Sequence, residues 1–279
     1  KNSAHLTQIA GSVKLASEQW DMIDHYENRE SNKLCAFIDI LGYKEKSERF
    51  FIGSFNLKER FGRALKSAIS TFKLISHLID TEQLEIKFFS DSIIITLPEQ
   101  ESGSDQKFGF VLFCAILSAN LSFEDLLVRG GIAKGAHIEV NDDAGFSFMA
   151  SIALQKAYLI ESKIAVYPRI VIDPDLVRCL VSVSDEAADY IVAEGNNYFV
   201  NFARQVIGRN GDNQSDVFDE MTDLHAAMNA ATEAAVKDKY AWILDYYYWT
   251  LSLTPNIELE KFSKFRSNAE RDFKPAFKQ

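Results

Sequence analysis

The chain of 279 residues carries 40 acidic and 30 basic side chains, and 47% of its residues are hydrophobic. This composition predicts a globular protein with a packed core and excludes a disordered, collagen-like or low-complexity chain. The formal charge of −10 disfavours broad nucleic-acid binding, because the surface as a whole repels a phosphate backbone. A small anionic ligand held through metal ions is compatible with this charge, since a bound cation reverses the local field.

The cysteines and histidines are few and scattered. Cys35, Cys114 and Cys179 lie in or beside apolar runs without CxxC spacing, which predicts reduced thiols rather than a disulfide or a zinc site. The five histidines form no HExxH motif. The longest apolar runs, such as Phe108 to Leu117, have about half the length of a membrane span, and the N-terminus lacks a signal-peptide pattern. We therefore expect a cytoplasmic protein with no membrane partner.

Hydrophobic periodicity predicts the first elements in chain order. Residues 1–32 are polar and predict an N-terminal arm. Leu34 to Ile40 is an apolar run of strand length. Apolar steps of three and four from Asn56 to Asp80 predict an amphipathic helix. Residues 84–97 resemble two strands hinged at Ser90-Asp91-Ser92.

The same pattern continues into a recognisable order of elements. Helices are predicted at about 107–122 and 148–162, with strands at Leu126 to Ile138 and Arg169 to Ile172. Strand, helix, hairpin, helix, strand is the split βαβ unit, β-α-β-β-α-β, in which an antiparallel sheet carries its helices on one face. The sequence therefore predicts an α+β fold.

Beyond residue 206 the sequence predicts a linker followed by a long helix. Residues 207–216 are the clearest linker, and apolar residues from Val217 to Trp249 then step by three and four, as in one long helix. Such a stripe favours a packing arm or a dimer arm. The predicted organisation is an N-terminal arm (1–32), a main domain (33–206), a linker (207–216) and a C-terminal helical arm (217–279).

Two acidic residues lie at the ends of predicted strands. Asp39 is near the end of the first apolar strand, and Asp91 occupies the tip of the hairpin. Because these strands are neighbours in a β-α-β-β sheet, the carboxylates can converge, and they repel each other unless a cation lies between them. Hard oxygen ligands select Mg²⁺ or Mn²⁺, and paired metals commonly serve phosphoryl transfer. In the alternative interpretation, Asp39 caps a turn before Gly42 and Asp91 is an ordinary turn residue.

Four motifs, in order over about residues 34–172, resemble those of class III nucleotidyl cyclases. Phe37-Ile-Asp39-Ile-Leu-Gly42-Tyr43 resembles the FxDIxGF signature of that family. Lys87-Phe-Phe-Ser-Asp91 resembles its KxxGD signature. Val128-Arg129-Gly-Gly-Ile132-Ala-Lys-Gly135 is similar to its VRIGIxxG strand. Ala157-Tyr-Leu-Ile-Glu161 is similar to its AxRLE helix. The resemblance implies a cyclase catalytic domain over residues 33–206. It also implies two Mn²⁺ or Mg²⁺ ions per site, held by Asp39, Asp91 and the backbone carbonyl of Ile40.

Two features of that family are missing. The Asn-x-x-x-Arg pair of the third helix falls on Gln155 and Leu159, or on Ser151 and Gln155, so neither register supplies an arginine. The candidate replacement cations are Lys156, Lys163, Arg129 and Arg169. Lys87 matches the lysine that adenylyl cyclases use on adenine, but the acidic partner of that lysine would fall on Phe148 or Ala144.

The missing acid, together with residues 152–161 and Lys239-Tyr-Ala-Trp242, makes the chain similar to the bacterial pyrimidine cyclases of Pycsar anti-phage defence. This resemblance implies conversion of UTP to 3′,5′-cyclic UMP and pyrophosphate by a homodimer, with a separate effector protein that responds to the product. Cytidylate cyclase, adenylate cyclase and a non-catalytic nucleotide-binding module are the alternatives. The expected substrate-binding residues are Tyr43, Lys87, Arg129 and Gln155. Arg129 is equally compatible with a structural ion pair, and Tyr43 with core packing.

Overall fold

The computed structural model describes residues 31–100, 103–141, 147–180, 189–208, 211–267 and 269–276. The predicted N-terminal arm lies outside the described residues except for Ser31 and Asn32, which begin the first strand. The boundaries of the predicted domains therefore stay a prediction.

Nine strands in the described residues form one sheet. They are β1 (Ser31–Ile40), β2 (Glu85–Phe89), β3 (Ser92–Pro98), β4 (Val128–Asn141), β5 (Ser147–Ser151), β6 (Ile170–Ile172), β7 (Ile191–Glu194), β8 (Asn197–Val200) and β9 (Phe273–Pro275). The order is β2-β3-β1-β4-β6-β8-β7-β9, and β5 pairs with β4 outside this path. β4 and β6 are parallel, whereas the other pairs are antiparallel. The sheet is therefore mixed.

Eight α-helices accompany the strands in this part of the chain. They are α1 (Tyr43–Phe51), α2 (Leu57–Ile75), α3 (Ser104–Phe123), α4 (Ile152–Lys163), α5 (Pro174–Leu180), α6 (Ala203–Ile207), α7 (Gln214–Ala230) and α8 (Ala234–Ser252). The predicted split βαβ order is confirmed by β1, α2, the β2–β3 hairpin, α3 and β4. The sequence pattern missed α1, β5, and the extension of the sheet by β7, β8 and β9.

Helices cover both faces of the sheet, and this corrects the expectation that they lie on one. Leu34, Ala36 and Ile38 of β1 belong to one buried cluster with residues of α2 and α3. Cys35 belongs to a second cluster with residues of α4 and α8. Alternate residues of a strand point to opposite faces, so a strand without polar alternation is covered on both sides. The α+β class itself is confirmed, with a mixed sheet in place of the antiparallel one.

Helix α4 approaches the sheet closely at a glycine. A Cβ atom built on Gly131 of β4 would lie 2.2 Å from the carbonyl oxygen of Ala157 on α4. No real side chain tolerates this distance, so glycine is required for the helix to pack at this height. Gly131, the second glycine of the VRGGI segment, thus allows α4 to pack close to β4.

Helix α3 is apolar on all sides because it lies inside the protein. In the described part of the chain it is the one helix long and apolar enough to cross a membrane, yet 89% of its most apolar stretch is buried within the fold. Burial also raises the pKa of Cys35 to about 12, and it raises the pKa of Cys114 on α3. These two free thiols behave as core residues, whereas Cys179 is only half-buried.

The predicted long C-terminal helix is wrong, because the stripe forms two helices, α7 and α8, that pack against each other. Ala231 and Glu233, between them, have extended backbone, with ψ of 138° and 129°. Trp242 on α8 is fully buried and packs against Phe199 of β8, with 5.5 Å between ring centroids. The C-terminal helices therefore pack on the second face of the sheet, in agreement with the first of the two predicted alternatives, a packing arm.

Candidate active site

The two acids of the cyclase-like motifs lie together at one end of β1. Asp39 pairs with Ser92 on β3 and with Arg129 on β4. The backbone N–H of Ile40 donates to the carbonyl oxygen of Asp91 at 2.9 Å, which fixes the hairpin tip beside β1. Ser90 completes the tight turn in the left-handed region, with φ of 56°. The local fold thus brings Asp39, Ile40 and Asp91 into one neighbourhood.

Arg129 lies between two carboxylates. Its Nε donates to Oδ2 of Asp39 at 3.1 Å and lies 2.7 Å from Oε1 of Glu161 on α4. Burial raises the pKa of Asp39, Arg129 partly offsets this effect, and the charge of Asp91 raises the pKa further. Burial likewise raises the pKa of Glu161, whose side chain is only 4% exposed. Arg129 therefore offsets part of the negative charge of this site.

Glu161 is a site residue to which the sequence analysis gave no role. It belongs to the AYLIE segment, but its motif position does not indicate that it shares Arg129 with Asp39. The pKa of Glu161 is raised by the charges of Asp39 and Asp91 as well as by burial. The site therefore contains three carboxylates and one guanidinium.

The donor chemistry of the site fits a divalent cation in part. Asp39 and Asp91 offer the hard oxygen ligands that Mg²⁺ and Mn²⁺ prefer. Across the described ranges, however, no group of three or more His, Cys, Asp or Glu side chains is placed to hold a metal ion. Mg²⁺ commonly binds through one or two carboxylates, with water and substrate phosphate oxygens as its other ligands. The acids therefore fit a metal that arrives with a nucleotide better than a metal held by the protein alone.

Lys87 has an acidic partner after all. Its Nζ forms an ion pair with Oε1 of Glu139 on β4, whereas the two positions expected from the family motif, Phe148 and Ala144, carry no acid. Phe148 is half-exposed on β5, and Ala144 lies outside the described residues. Sequence spacing did not indicate Glu139, because the partner comes from the strand before the expected position.

The Lys87–Glu139 pair forms a polar group with His137, on the same face of the sheet as Asp39. The register of β2, β3 and β1 aligns Lys87 with Ile94 and Phe37, two residues along β1 from Asp39. His137 is 1% exposed, and its Nε2 lies 3.5 Å from Oε2 of Glu139. A base bound beside Phe37 would meet a donor and an acceptor from this group.

Tyr43 and Gln155 occupy very different places. Tyr43 begins α1 after Gly42, whose φ is 69°, and packs partly buried against the α2–α3 side of the sheet. Gln155 is exposed on α4, in line with the exposed Leu159. The structure therefore favours core packing for Tyr43 and leaves Gln155 accessible, and both substrate roles stay predictions.

Among the predicted replacement cations, Arg169 has a structural role. It is 5% exposed and ion-paired with Glu194, and its guanidinium lies 5.6 Å from the ring centre of Trp242. Such a buried, stacked pair holds α8 to the sheet. Lys156 and Lys163 on α4 form no ion pair with any residue that the structure describes.

A cavity of about 660 Å³ opens at the end of β1. One wall contains Leu41 and Gly42 of the turn between β1 and α1, and the opposite wall contains residues of α7 and α8, including Glu220 and Lys239. The charge of Lys239 lowers the pKa of Asp39. No pattern in the sequence indicates this cavity, because its walls are about 200 residues apart in the chain.

No family profile matches the chain, and no curated protein matches it. Similar solved structures include the adenylyl cyclase CyaB from P. aeruginosa, at 14% identity over 62% of this chain and 94% of that protein, with a TM-score of 0.45. The guanylyl cyclase Cya2 is similar at 13% identity over 62% and 92%, with a TM-score of 0.40. A class III adenylyl cyclase-like ATP-binding protein from P. aeruginosa is similar at 12% identity over 57% and 36%, with a TM-score of 0.38. At these identities the likeness concerns the fold alone.

Proposed function

We propose that the chain is a nucleotidyl cyclase that converts UTP to 3′,5′-cyclic UMP and pyrophosphate. The observation that carries this proposal is the convergence of Asp39 and Asp91 at the end of β1, next to the Gly42 turn that lines a cavity. Both acids lie within the motifs that resemble those of class III cyclases. On the same resemblance, we propose that the protein is cytoplasmic and that a separate effector in anti-phage defence responds to its product.

The proposed reaction is an intramolecular displacement at phosphorus. The 3′-oxygen of the ribose forms a bond to the α-phosphorus, and the bond from that phosphorus to the bridging oxygen of the β-phosphate breaks. The 3′-hydroxyl loses a proton, and pyrophosphate leaves with the bond electrons. Two divalent cations, when bound, would make the 3′-hydroxyl more acidic and balance the charge of the triphosphate. Asp39 and Asp91 would hold these cations, and the carbonyl of Ile40 would assist them.

Lys87 and Glu139 are proposed to read the base. Uracil offers an acceptor at O4 and a donor at N3–H, so the ammonium of Lys87 and the carboxylate of Glu139 match it. Adenine, with an acceptor at N1 and a donor at N6, matches the same pair. The preference for a pyrimidine therefore no longer follows from a missing acid and rests on the resemblance to the pyrimidine cyclases. A direct comparison of nucleotides is the decisive test.

That test incubates the purified protein with each of the four NTPs and Mn²⁺, with product identification by mass. We expect cyclic UMP and a kcat/KM for UTP about tenfold or more above that for ATP or GTP. This preference is expected from the resemblance to the pyrimidine cyclases, because the Lys87–Glu139 pair alone matches adenine as well as uracil. The same preparation of Asp91→Asn controls for a contaminating cyclase. An equal or higher kcat/KM for ATP contradicts the pyrimidine assignment, whereas a preference for CTP removes only the proposed reading of O4.

A non-catalytic nucleotide-binding module is the second candidate function. Two observations favour it: Arg129 already binds Asp39, and neither register of α4 supplies the arginine of the cyclase motif. Retention of both acids at the end of β1 favours the enzyme. Nucleotide binding without a cyclic product from any NTP would select the binding module.

We propose a homodimer that forms across the face of the sheet on which Asp39 lies. Helix α4 lies over this face, and its Ile152, Tyr158 and Leu159 are 48%, 50% and 53% exposed. Tyr158 also contacts Phe37 edge to face, with 5.3 Å between ring centroids, so the exposed surface adjoins the site. An apolar surface beside a polar site suits a second copy that closes the site.

Leu159→Lys is expected to weaken this dimer by about tenfold or more, because a two-fold interface would bury the new charge twice. Sedimentation over a range of concentrations measures the effect. Leu74→Lys is the matched control, since Leu74 is 84% exposed on α2, which packs on the other face of the sheet. A wild-type monomer with full turnover at micromolar concentration, or equal weakening by both variants, contradicts the proposed interface.

A further inference from the structure

We propose that Lys239 on α8 binds the phosphate groups of the nucleotide, as a cation supplied from outside the four motifs that resemble class III cyclases. The inference rests on the proposed function and gives a chemical role to Lys239, which the sequence indicates only as part of the segment similar to the pyrimidine cyclases. It assigns to the C-terminal helices a part in ligand binding as well as in packing.

Lys239 lies in the wall of the cavity, near Asp39. Lys239 lines the cavity together with Leu41 and Gly42, the residues that follow the metal-binding segment of β1. It is close enough to Asp39 for its charge to act on that carboxyl group. A triphosphate that was held at Asp39 and reached the Gly42 turn would meet Lys239, which lines the same cavity as that turn.

Lys239 has no ion-pair partner among the described residues. Lys239 is half-buried and forms no hydrogen bond or ion pair with any residue in the described part of the chain. This holds although several acids of α7 line the same cavity, among them Asp216, Asp219 and Asp223. A half-buried ammonium without an acidic partner has three donors to offer to an anionic ligand.

Helix α8, which carries Lys239, is fixed in position by Trp242. Trp242, less than one turn beyond Lys239, is fully buried, and its Nε1 donates to Glu194 at 3.2 Å. Trp242 also stacks on Tyr167, with 5.3 Å between ring centroids and 5° between ring planes. The backbone that carries Lys239 is therefore held against the sheet, and only the flexible stem of the lysine remains free to adjust.

The charge of the whole cavity defines the form of the ligand. Two lysines and six carboxylates line it, namely Lys46, Lys239, Glu45, Asp125, Asp216, Asp219, Glu220 and Asp223. A bare polyphosphate would be repelled by this excess of acids, whereas a polyphosphate that carries divalent cations is close to neutral. We therefore expect Lys239 to act on the cation-bound form only.

The test measures binding of inorganic tripolyphosphate, with and without Mg²⁺, by titration calorimetry on the full chain. Lys239→Gln is compared with Lys239→Arg, which keeps the charge, and with Lys237→Gln. Lys237 lies on the same helix, is exposed and does not line the cavity, so its variant has the same change in net charge. Because Lys239 has no described partner, the thermal unfolding of all variants should match that of the wild type.

We expect Lys239→Gln to weaken Mg²⁺-dependent binding about 10- to 100-fold, the usual value of a hydrogen bond to a charged group. Lys237→Gln should bind like the wild type, and Lys239→Arg should recover most of the loss. Equal binding by the two glutamine variants, or no binding by the wild type, would overturn the inference. If the wild type binds through Lys239 but forms no cyclic product, the proposed cyclase activity fails and the inference stands.

Discussion

Asp39→Asn and Asp91→Asn should each abolish formation of the cyclic nucleotide while the protein stays folded. Each variant removes a negative oxygen ligand, which should cost several kcal/mol of transition-state stabilisation. Folding should survive, because Arg129 keeps its ion pair with Glu161 at 2.7 Å when Asp39 becomes neutral. Turnover at saturating Mn²⁺ and thermal unfolding of each purified variant measure the two halves of this expectation.

Asp272→Asn is the matched control for this pair. Asp272 is 66% exposed and, among the residues that the structure describes, pairs with Lys274 alone, so its variant should turn over like the wild type. If either site variant kept more than about a tenth of the wild-type rate, the loss of transition-state stabilisation would be below ~1.4 kcal/mol. The two-metal assignment would then be wrong.

Trp242→Ala should lower the free energy of unfolding by about 3–5 kcal/mol, the usual cost of removing a large buried aromatic side chain. Trp242 is fully buried among Tyr167, Phe199 and Tyr246, and it donates to Glu194. Its removal leaves a cavity between α8 and the sheet. Denaturant unfolding, followed by a signal from the β-sheet, measures the loss.

Trp249→Ala on the same helix is the comparison for Trp242→Ala. Trp249 is half-buried and should give a clearly smaller loss. Equal small losses from both variants, or a separate unfolding transition for the C-terminal helices, would show that these helices are an independent unit and contradict the packing described above.

The part of the fold that the sequence predicted depends on local patterns. The apolar run of β1, the hairpin around Asp91 and the periodicity of α2 each identify an element without knowledge of its partners. The break between α7 and α8 gives no such signal, because Ala231 and Glu233 are not residues that end helices by themselves. That turn follows from packing, since a single straight helix could not cover the sheet with both of its apolar segments.

The predicted site was limited by contacts between distant segments. Asp39 and Asp91 could be paired because neighbouring strands of a hairpin fold carry them. The partner of Lys87 is 52 residues away, and Glu161 reaches Arg129 from a helix. Lys239 comes from the last quarter of the chain. These contacts depend on the three-dimensional course of β4 and α8, which no spacing in the sequence encodes.

The two walls of the cavity also set the order in which the site is completed during synthesis. The wall with Leu41 and Gly42 leaves the ribosome early, whereas the wall with Lys239 leaves about 200 residues later. Domains fold as their chains emerge, N-terminal parts first. A nascent chain that ends before α8 therefore presents Asp39 and Asp91 without the α8 wall of the neighbouring cavity. This cavity is complete only after residues as far as Tyr240 have been synthesised.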